Sequence, residues 1–566
     1  MEVAGRLMLS PVVTACVRPQ PQPRRDAMTA RISVMTHPRL RHDRLTAGLR
    51  VRVVVLVASV AMSFAIPIAG AVSACPSGGI AVSVSDSTSE ILAKIAAPGH
   101  DRVFCWEPGI HRINAPMSLH PGDSFLGLTD PATGKSATLI GSRPVTGWAR
   151  FGPRTWVASL PRLTLPVLNV PPGVRCLDGT NHCAYPDDVY RDDHRLKRVW
   201  SLKELVRGAY FLDYASRRLY MGARLRPTKA SRAVPLPVVS GRSTSFIIVK
   251  PGGVLRDLTV REVGVGLQGA AIACDSCMID HVDVSLAHGR GVDVDDLSVV
   301  TSSAVHDNGQ AGIGIGKRRI GSTGSSGVVA ANSVYRNGWI RCLGICGGIK
   351  ASTAVGLSIV DNVVSKNLGT GIWMDNDSID FRISGNTVVS NRTAGIEAEI
   401  SYDGVIEGNT VTGSGLRPLK DRISVGAIHV LASGACSQSC PPGTGSGIVI
   451  SGNTVGTVSR PNAFGIMLRQ MDRGSGRYGP HLVRNVTVTG NDVVLIQGWT
   501  GAVDPREDTG IYHAGNAFTA NTYTVPHVRA AVFRWMSSTG QADAWLMFAQ
   551  WQAEGNDVDG TLIPLD

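Results

Sequence analysis

Residues 383–389 of this chain read Ile-Ser-Gly-Asn-Thr-Val-Val, residues 406–412 read Ile-Glu-Gly-Asn-Thr-Val-Thr, and residues 450–456 read Ile-Ser-Gly-Asn-Thr-Val-Gly. The first two copies each follow a Gly-Ile pair, at Gly371-Ile372 and Gly395-Ile396. Weaker copies extend the pattern from about Ile279 to Ala520, and successive copies are 21 to 44 residues apart. A recurrence of this size indicates one supersecondary unit that is stacked many times.

Each unit contains short β-branched runs separated by Gly, Asn, Ser or Asp, and it is too short for a pair of helices. Alternation such as Ile-x-Val places one aliphatic row inward and one polar row outward, which is the period of a strand. We expect the Gly and Asn of the motif to adopt left-handed backbone angles at the corners. We also expect the Asn side chains of successive coils to stack as an amide ladder. The repeat therefore predicts an all-β chain, a parallel β-helix of about eight to ten coils.

The repeat resembles that of right-handed parallel β-helix proteins, the fold of pectate lyases, polygalacturonases, alginate epimerases and other secreted sugar-active proteins. The resemblance covers about half of the chain, and it implies the right hand of the helix and a carbohydrate ligand. It identifies no single enzyme family. Trp373-Met374-Asp375-Asn376, for example, resembles the Trp-Ile-Asp-His of pectate lyases, but Asn stands in place of His.

Residues 1–74 have the composition of a leader with a secretory signal. Residues 1–52 contain ten Arg and three acidic residues, and residues 53–74 are uncharged and largely apolar, ending in Val72-Ser73-Ala74. This order predicts a secreted or cell-surface protein with no membrane span after cleavage. The alternatives are a retained membrane anchor and a lipid anchor at Cys75. Removing ten bases and three acids takes the formal net charge from +12 to +5, so nucleic acid is not a predicted partner.

The ten cysteines after the leader fall into local pairs. These pairs are Cys75/Cys105, Cys176/Cys183, Cys274/Cys277, Cys342/Cys346 and Cys436/Cys440. An even number of paired cysteines predicts disulfides in an oxidising compartment. The Cys-x2-Cys and Cys-x3-Cys spacings are also compatible with zinc, but no cluster of His residues accompanies them.

The remaining chain divides by composition into four segments. We interpret residues 75–147 as an N-terminal cap with the first coils, and residues 148–245 as a β-rich insertion with many Trp and Tyr. Residues 246–525 form the repeats, and residues 526–566 form a C-terminal cap. The aromatic side chains of the insertion either form its own core or line one wall of a substrate groove.

Alignment of the coils on the Gly-Ile pair sorts the side chains into columns. One inward column contains Ile349, Ile372, Ile396, Ile428 and Ile466. Residues one and three positions later point outward, in the columns Lys350, Trp373, Glu397, His429, Met467 and Ser352, Asp375, Glu399, Leu431, Arg469. Because neighbouring coils are about 4.8 Å apart, Asp375 and Glu399 are predicted neighbours. Like charges in such positions are destabilising, so a cation, a metal or a proton is expected to offset them.

These outward columns give the predicted site. We predict catalytic roles for Asp375, Glu397, Glu399, Lys350 and His429, and contacts with a sugar for Trp373 and Arg469. Two carboxyl groups are typical of glycoside hydrolysis, whereas a lyase on an acidic polysaccharide needs a base such as Lys or His. Asp375 and Glu399 are also candidate ligands for Ca²⁺, and the simplest alternative is a solvated acidic face.

The predicted function is that of an exported polysaccharide hydrolase or lyase that acts in a groove along one sheet. The alternative is a non-catalytic β-helix protein of the cell surface or cell wall that binds glycan or is purely structural. The partner in either case is a polysaccharide or glycan. The sequence names neither the sugar nor the oligomeric state.

Overall fold

Three long sheets, here called A, B and C, form the main body in the computed structural model of the chain. The structure describes residues 74–565 except 169, 171–175, 177–178, 240–241, 296, 317–326, 341–343, 416–425, 459–462 and 506–509. The predicted leader therefore lies outside the described residues, apart from Ala74. No helix within the described ranges is long and apolar enough to cross a membrane.

Each of the three sheets has 13 strands in the part of the chain that the structure describes. Sheet A contains Ile80–Val82, Val103–Trp106, Ser124–Gly127, Val254–Arg256, Met278–Asp280, Val299–Thr301, Val328–Ala330, Ser358–Val360, Ile379–Ser384, Tyr402–Glu407, Ile448–Ser451, Val486–Thr489 and Ala517–Thr519. Sheet B contains Gly109–Arg112, Ala137–Ile140, Thr259–Arg261, Asp283–Ser285, Ala304–His306, Ser333–Tyr335, Val363–Ser365, Thr387–Val389, Thr410–Thr412, Thr454–Val458, Asp492–Leu495, Thr522–Val525 and Thr561–Pro564. Sheet C contains Met117–Ser118, Ile247–Val249, Ala270–Cys274, Arg290–Val294, Ile313–Ile315, Gly347–Ser352, Thr370–Asp375, Ala394–Glu399, Gly426–Leu431, Phe464–Arg469, Trp499–Val503, Phe533–Trp535 and Ala544–Leu546.

The chain visits sheets A, B and C in turn, and each strand pairs in parallel with the equivalent strand of the next coil. Only the last strand of sheet C, Ala544–Leu546, pairs antiparallel within the three sheets as described. The predicted parallel β-helix is confirmed. The prediction of eight to ten coils was too low, because the first and last coils lack the Gly-Asn motif on which the count was based.

An amide ladder occupies the corner between sheets A and B. Its members are Asn332, Asn362, Asn386, Asn409, Asn453, Asn491, Asn521 and Asp557. The Nδ2 group of Asn386 donates to Asn409 Oδ1 at 2.9 Å and to the Ile359 carbonyl at 2.8 Å. A second ladder, Asn308, Asn337, Asn367 and Asn391, lies between sheets B and C. Both ladders satisfy buried polar groups that water cannot reach.

Two details of the corner differ from the sequence-based expectation. Only the residue before the ladder Asn has a positive φ, as at Gly385 (66°) and Gly408 (59°), so the Asn itself supplies hydrogen bonds rather than a left-handed backbone. The motif copy at Gly515-Asn516 does not enter the ladder. Asn521 takes that position, and Asn516 instead accepts a hydrogen bond from the Val486 amide.

The glycine of each Gly-Ile pair is required by close packing between coils. A Cβ at Gly371 would lie 2.5 Å from the Gly395 carbonyl oxygen and 2.7 Å from Asn391 Nδ2. These distances are too short for a methyl group, so the position accepts only hydrogen. The close contact between a sheet C strand and the second ladder therefore explains the glycine of the motif.

The two ends and the insertion complete the fold. Helix Thr88–Ala96 begins at the N-cap Ser87 with a capping box to Glu90, and it buries Ile91 and Ile95 over the first coils. The insertion contains a four-stranded sheet (Ser142–Pro144, Val189–Arg191, His194–Arg195, Ala230–Ala233) and a five-stranded sheet (Ala149–Gly152, Thr155–Ser159, Lys197–Arg198, Ala209–Asp213, Arg218–Gly222). Helix Phe548–Ala553 packs on the last coils through Trp551.

Short elements fill the connections between these parts. The remaining elements are the strand pairs Val238–Val239 with Arg242–Ser243 and Ser475–Gly476 with Gly479–Pro480, and the 3-10 turns His182–Ala184, Leu202–Glu204 and Ile511–His513. Many aromatic side chains of the insertion pack on one another, including Trp148 and Tyr210 in a buried cluster of their own. This arrangement favours the interpretation of the insertion as a small domain with its own core.

The cysteines form disulfides in the structure. The described pairs are Cys75–Cys105, Cys176–Cys183, Cys274–Cys277 and Cys436–Cys440. Cys346 is also disulfide-bonded, and Cys342, its expected partner, lies outside the described residues. Disulfides rather than zinc thus account for these cysteines.

Candidate functional site

The outward side of sheet C between Gly347–Ser352 and Phe464–Arg469 is here called the site face. Strand pairing places Lys350 beside Trp373, Trp373 beside Glu397, and Glu397 beside His429. The second column has Ser352 beside Asp375, and it continues from Glu399 to Leu431 and Arg469. The first column therefore has the predicted register, and the second has it for Ser352 with Asp375 and for Glu399, Leu431 and Arg469.

Lys350 connects the first coil of the site face to the second. Its Nζ lies 2.6 Å from Asp375 Oδ2 and 3.4 Å from the centre of the Trp373 ring. Burial lowers the pKa of the Lys350 ammonium, and the charge of Asp375 opposes that effect. The ammonium is thus held between one carboxylate and one aromatic face, in a cation–π contact.

Glu399 is a carboxyl group of the site face whose pKa is raised by its surroundings. Burial raises the pKa of Glu399, and the neighbouring charges of Glu397 and Asp375 raise it further. Arg473, which follows sheet C strand Phe464–Arg469 on a loop, pairs with Glu399 and lowers this pKa in part. A carboxyl group with a raised pKa beside a second carboxylate is the arrangement that acid–base sites use.

Glu397 belongs to a hydrogen-bonded chain beneath the other two carboxyl groups. Its Oε1 lies 3.0 Å from His429 Nδ1, and its Oε2 accepts a hydrogen bond from Thr370 Oγ1 at 3.0 Å. Glu397 and His429 are 1% and 0% exposed. His429 Nε2 is buried with no hydrogen-bond partner among the described residues. Glu397 and His429 are therefore buried and do not contact solvent.

The site face is not a solvated acidic surface. Asp375 is 6% exposed and Glu399 is 5% exposed, and each has a cationic partner. The Trp373 ring is 4% exposed and the Lys350 ammonium lies over it, so the ring is covered in this structure and its contact with a sugar stays a prediction. Like-charge repulsion between neighbouring coils is offset by these cations, as the sequence required.

Arg469 does not supply the cation beside Glu399. Leu431 lies between the two residues in the column, and the charge that acts on Arg469 is that of Asp543. Arg473, four residues later, supplies the cation that pairs with Glu399. A contact between Arg469 and a substrate stays a prediction.

The donor set does not fit the calcium interpretation. Within the described ranges, no group of three His, Cys, Asp or Glu side chains could hold a metal ion. Asp375 and Glu399 face Lys350 and Arg473, and a bound cation would have to displace both.

Two contributors to the site were not identified from the sequence. Thr370 lies two residues before the inward Ile372, so the period of the strand places it on the inward side and could not have identified its contact with Glu397. Arg473 lies in a loop that no periodicity describes. This loop is held by Asp377, whose Oδ1 is 2.9 Å from His481 Nε2 and whose Oδ2 accepts from the Arg477 amide at 3.1 Å.

The comparisons with known proteins bear on the fold. The sequence profile of the family described as "Right handed beta helix region" matches residues 264–455. No curated protein matches the sequence of the chain.

Among solved structures, the complex of XylC with xylose aligns over 79% of this chain and 83% of its own, with 11% identity and a TM-score of 0.57. A structure described as a glycoside hydrolase aligns over 78% and 99%, with 11% identity and a TM-score of 0.49. The A-module of the Azotobacter vinelandii mannuronan C-5 epimerase AlgE6 covers 85% and 96%, with 13% identity and a TM-score of 0.40. At these identities the likeness concerns the fold alone. The three parallel sheets and the matched repeat region together make this chain a right-handed parallel β-helix protein.

Proposed function

We propose that this chain is an exported carbohydrate-active enzyme that hydrolyses glycosidic bonds of a polysaccharide at the site face. The observation that supports this most is the placement of Asp375 and Glu399 on neighbouring coils in different electrostatic surroundings. Asp375 faces the Lys350 ammonium, whereas burial and two neighbouring carboxylates raise the pKa of Glu399. Two carboxyl groups with divergent environments are what glycoside hydrolysis requires.

The roles follow from these surroundings. Glu399, with its raised pKa, donates a proton to the oxygen of the leaving sugar. Asp375, as a carboxylate, acts on the other side, either on the anomeric carbon or on a water molecule. Lys350 holds Asp375 in place, and the buried charge of Glu397 helps to keep Glu399 protonated.

Substrate reaches Glu399 by replacing Arg473. The Arg473 side chain is the most exposed member of the group, and its loop contacts Glu399 from outside the coils. A sugar hydroxyl that takes its place would leave Glu399 with less positive charge nearby and so with a higher pKa. The XylC complex with xylose, which has the same fold, makes a sugar a reasonable ligand for such a face.

A second candidate is elimination by a polysaccharide lyase. Burial lowers the pKa of Lys350, and a lysine with a lowered pKa is suited to remove a proton next to a uronate carboxyl group. Lys350 already contacts Asp375 and Trp373, so this role requires that both contacts be broken. The geometry favours hydrolysis for this reason.

The test is turnover on a panel of neutral and uronate polysaccharides. We expect new reducing ends without the ultraviolet absorbance of an unsaturated product, and we expect the activity to be lost in Glu399→Gln and Asp375→Asn. The matched control is Glu407→Gln, since Glu407 lies on sheet A of the same coil and pairs with Arg382 instead. Unsaturated products would favour the lyase, and full turnover in Glu399→Gln would exclude the proposed site. Absence of turnover on every polysaccharide would favour the non-catalytic alternative.

A further inference from the structure

Apart from the site face on sheet C, a cleft lies between the insertion and the outward side of sheet B. It is here called the hairpin cleft, because the hairpin Val189–Arg191/His194–Arg195 forms one wall. Its volume is about 1030 Å³. The other wall and the floor come from the sheet B strands Thr259–Arg261, Asp283–Ser285 and Ala304–His306 and the segments that follow them.

The wall formed by the hairpin is fixed to the coils by three contacts. Tyr190 Oη donates to the Leu286 carbonyl at 2.8 Å, and Asp193 Oδ1 lies 2.9 Å from Arg261 Nη1. The Arg195 guanidinium lies 3.5 Å from the centre of the Trp339 ring. Because the anchors are spread along the hairpin, the cleft is preformed, and a ligand would not have to order it on binding.

The floor of the cleft presents a positive charge on a rigid ring. His306 lies 2.7 Å from Asp307 and 3.3 Å from Asp283, and it stacks on Tyr335 with 4.6 Å between ring centres. Burial lowers the pKa of His306, but the hydrogen bonds and charges of Asp283 and Asp307 outweigh it and raise the pKa to about 9. His306 is thus an imidazolium at neutral pH.

The lining carries more positive than negative charge. Its cationic side chains are Arg195, Arg261, His306, Arg336 and Lys366, and its carboxylates are Asp193, Asp283 and Asp307. Five positive charges against three negative charges leave a surplus of two. Lys366 is exposed, and the Arg261 side chain stays 23% exposed beside its partner Asp193. The two ends of the cleft can therefore still receive an anion.

The spacing of these groups matches an extended ligand rather than a single ion. Strand pairing runs from Arg261 through Ser285, His306 and Tyr335 to Ser365, the residue before Lys366. Four coil spacings separate the ends, a distance of about 19 Å. Leu286 and Leu368 add apolar contact area to the lining.

We propose that the hairpin cleft binds a run of acidic sugars of the polysaccharide, parallel to the helix axis, with anionic groups near Arg261 and Lys366. An acidic glycan fits because it combines regularly spaced charges with the apolar faces of its rings. The inference depends on the proposed function only for the choice of a sugar among extended anions. The cleft holds the polymer on sheet B while bonds are cut on sheet C.

The test is calorimetric titration with trigalacturonate and with its neutral methyl ester, at low salt. The protein is the Glu399→Gln variant, so that no ligand is consumed. We expect the acid to bind and the ester to bind at least about fivefold more weakly, as a single partly exposed charge pair would give. Lys366→Glu should remove this preference without unfolding the protein, because its side chain is exposed. Lys135→Glu, an exposed lysine outside the cleft lining, is the matched control and should keep it.

The outcomes separate this inference from the proposed function. Equal binding of acid and ester, or an unchanged preference in Lys366→Glu, would overturn the cleft as an acidic-glycan site even if the wild-type protein hydrolyses polysaccharide. Binding that Lys366→Glu weakens, in a protein that cleaves nothing, would support the cleft and contradict the hydrolase.

Discussion

The corner between sheets A and B and the site face of sheet C are built on the same coils in opposite ways. At the corner, the same side chain recurs from coil to coil, and each Asn bonds to the next, as Asn386 does to Asn409 at 2.9 Å. On the site face no residue type recurs, and the partners are Lys350 with Asp375 and Arg473 with Glu399. Identical residues can satisfy one another only when each has both donors and acceptors, which Asn has and a carboxylate lacks.

The same coils thus carry stabilising amides at the corner and charged pairs on the site face. The recurring amide lowers the free energy of every coil and is interchangeable along the stack. The charged residues repel like neighbours and need specific cations, here Lys350 and Arg473. Four substitutions measure this difference, from the largest expected effect to the smallest.

The largest effect is expected on the site face from Glu399→Gln. Removing a proton donor should lower kcat by about 10³-fold, within the usual range for a general acid. Thermal unfolding should change little, because the amide keeps the shape of the side chain. The measurement is initial rate on the polysaccharide that the wild-type protein cleaves, and a kcat equal to that of Glu407→Gln would contradict the assignment.

Lys350→Met should destabilise the fold strongly. It leaves Asp375 buried without its cation, a change that costs about 3 kcal/mol in comparable buried pairs. Urea unfolding at neutral pH measures the free energy of unfolding. The double variant Lys350→Met/Asp375→Asn should recover most of the loss, and Lys366→Met, an exposed lysine, serves as the control. Additive losses in the double variant would show that the pair is not coupled.

Asn386→Ala should cost about 2 kcal/mol, because it removes the donor to the Ile359 carbonyl and the acceptor of the Asn362 backbone amide inside the corner. Thr387→Ala, the next residue along the chain, is exposed and should change stability by less than about 0.5 kcal/mol. Both are measured by urea unfolding. Equal losses in the two variants would mean that the ladder is not a source of stability.

Arg473→Ala should have the smallest effect, on pH dependence. Arg473 lowers the pKa of Glu399, so its removal raises that pKa further. A group that must be protonated to act then stays active to higher pH, and the alkaline limb of kcat/KM should move upward. Arg477→Ala, in the same loop, is the control. A downward movement of the limb would contradict the role of Glu399 as the acid.

Much of the site geometry could be predicted from the sequence. The Gly-Ile pairs predicted the register of sheet C, and the strand pairs from Lys350 to Met467 and from Glu399 to Arg469 have the predicted neighbours. The columns could not show burial, such as the covering of the Trp373 ring by Lys350. They also could not show Arg473, because the loop that carries it has no period to align.

By itself, the sequence determined the parallel coils, the amide ladder and the order of residues along each column of this protein. These features follow from contacts between neighbouring coils, which a repeat encodes locally. Only the tertiary structure decided which outward residues are buried and which cation reaches Glu399. It also decided that the hairpin Val189–Arg191/His194–Arg195 contacts sheet B and forms one wall of the hairpin cleft. Those contacts join segments about 70 residues apart in the chain, and nothing in a local repeat constrains them.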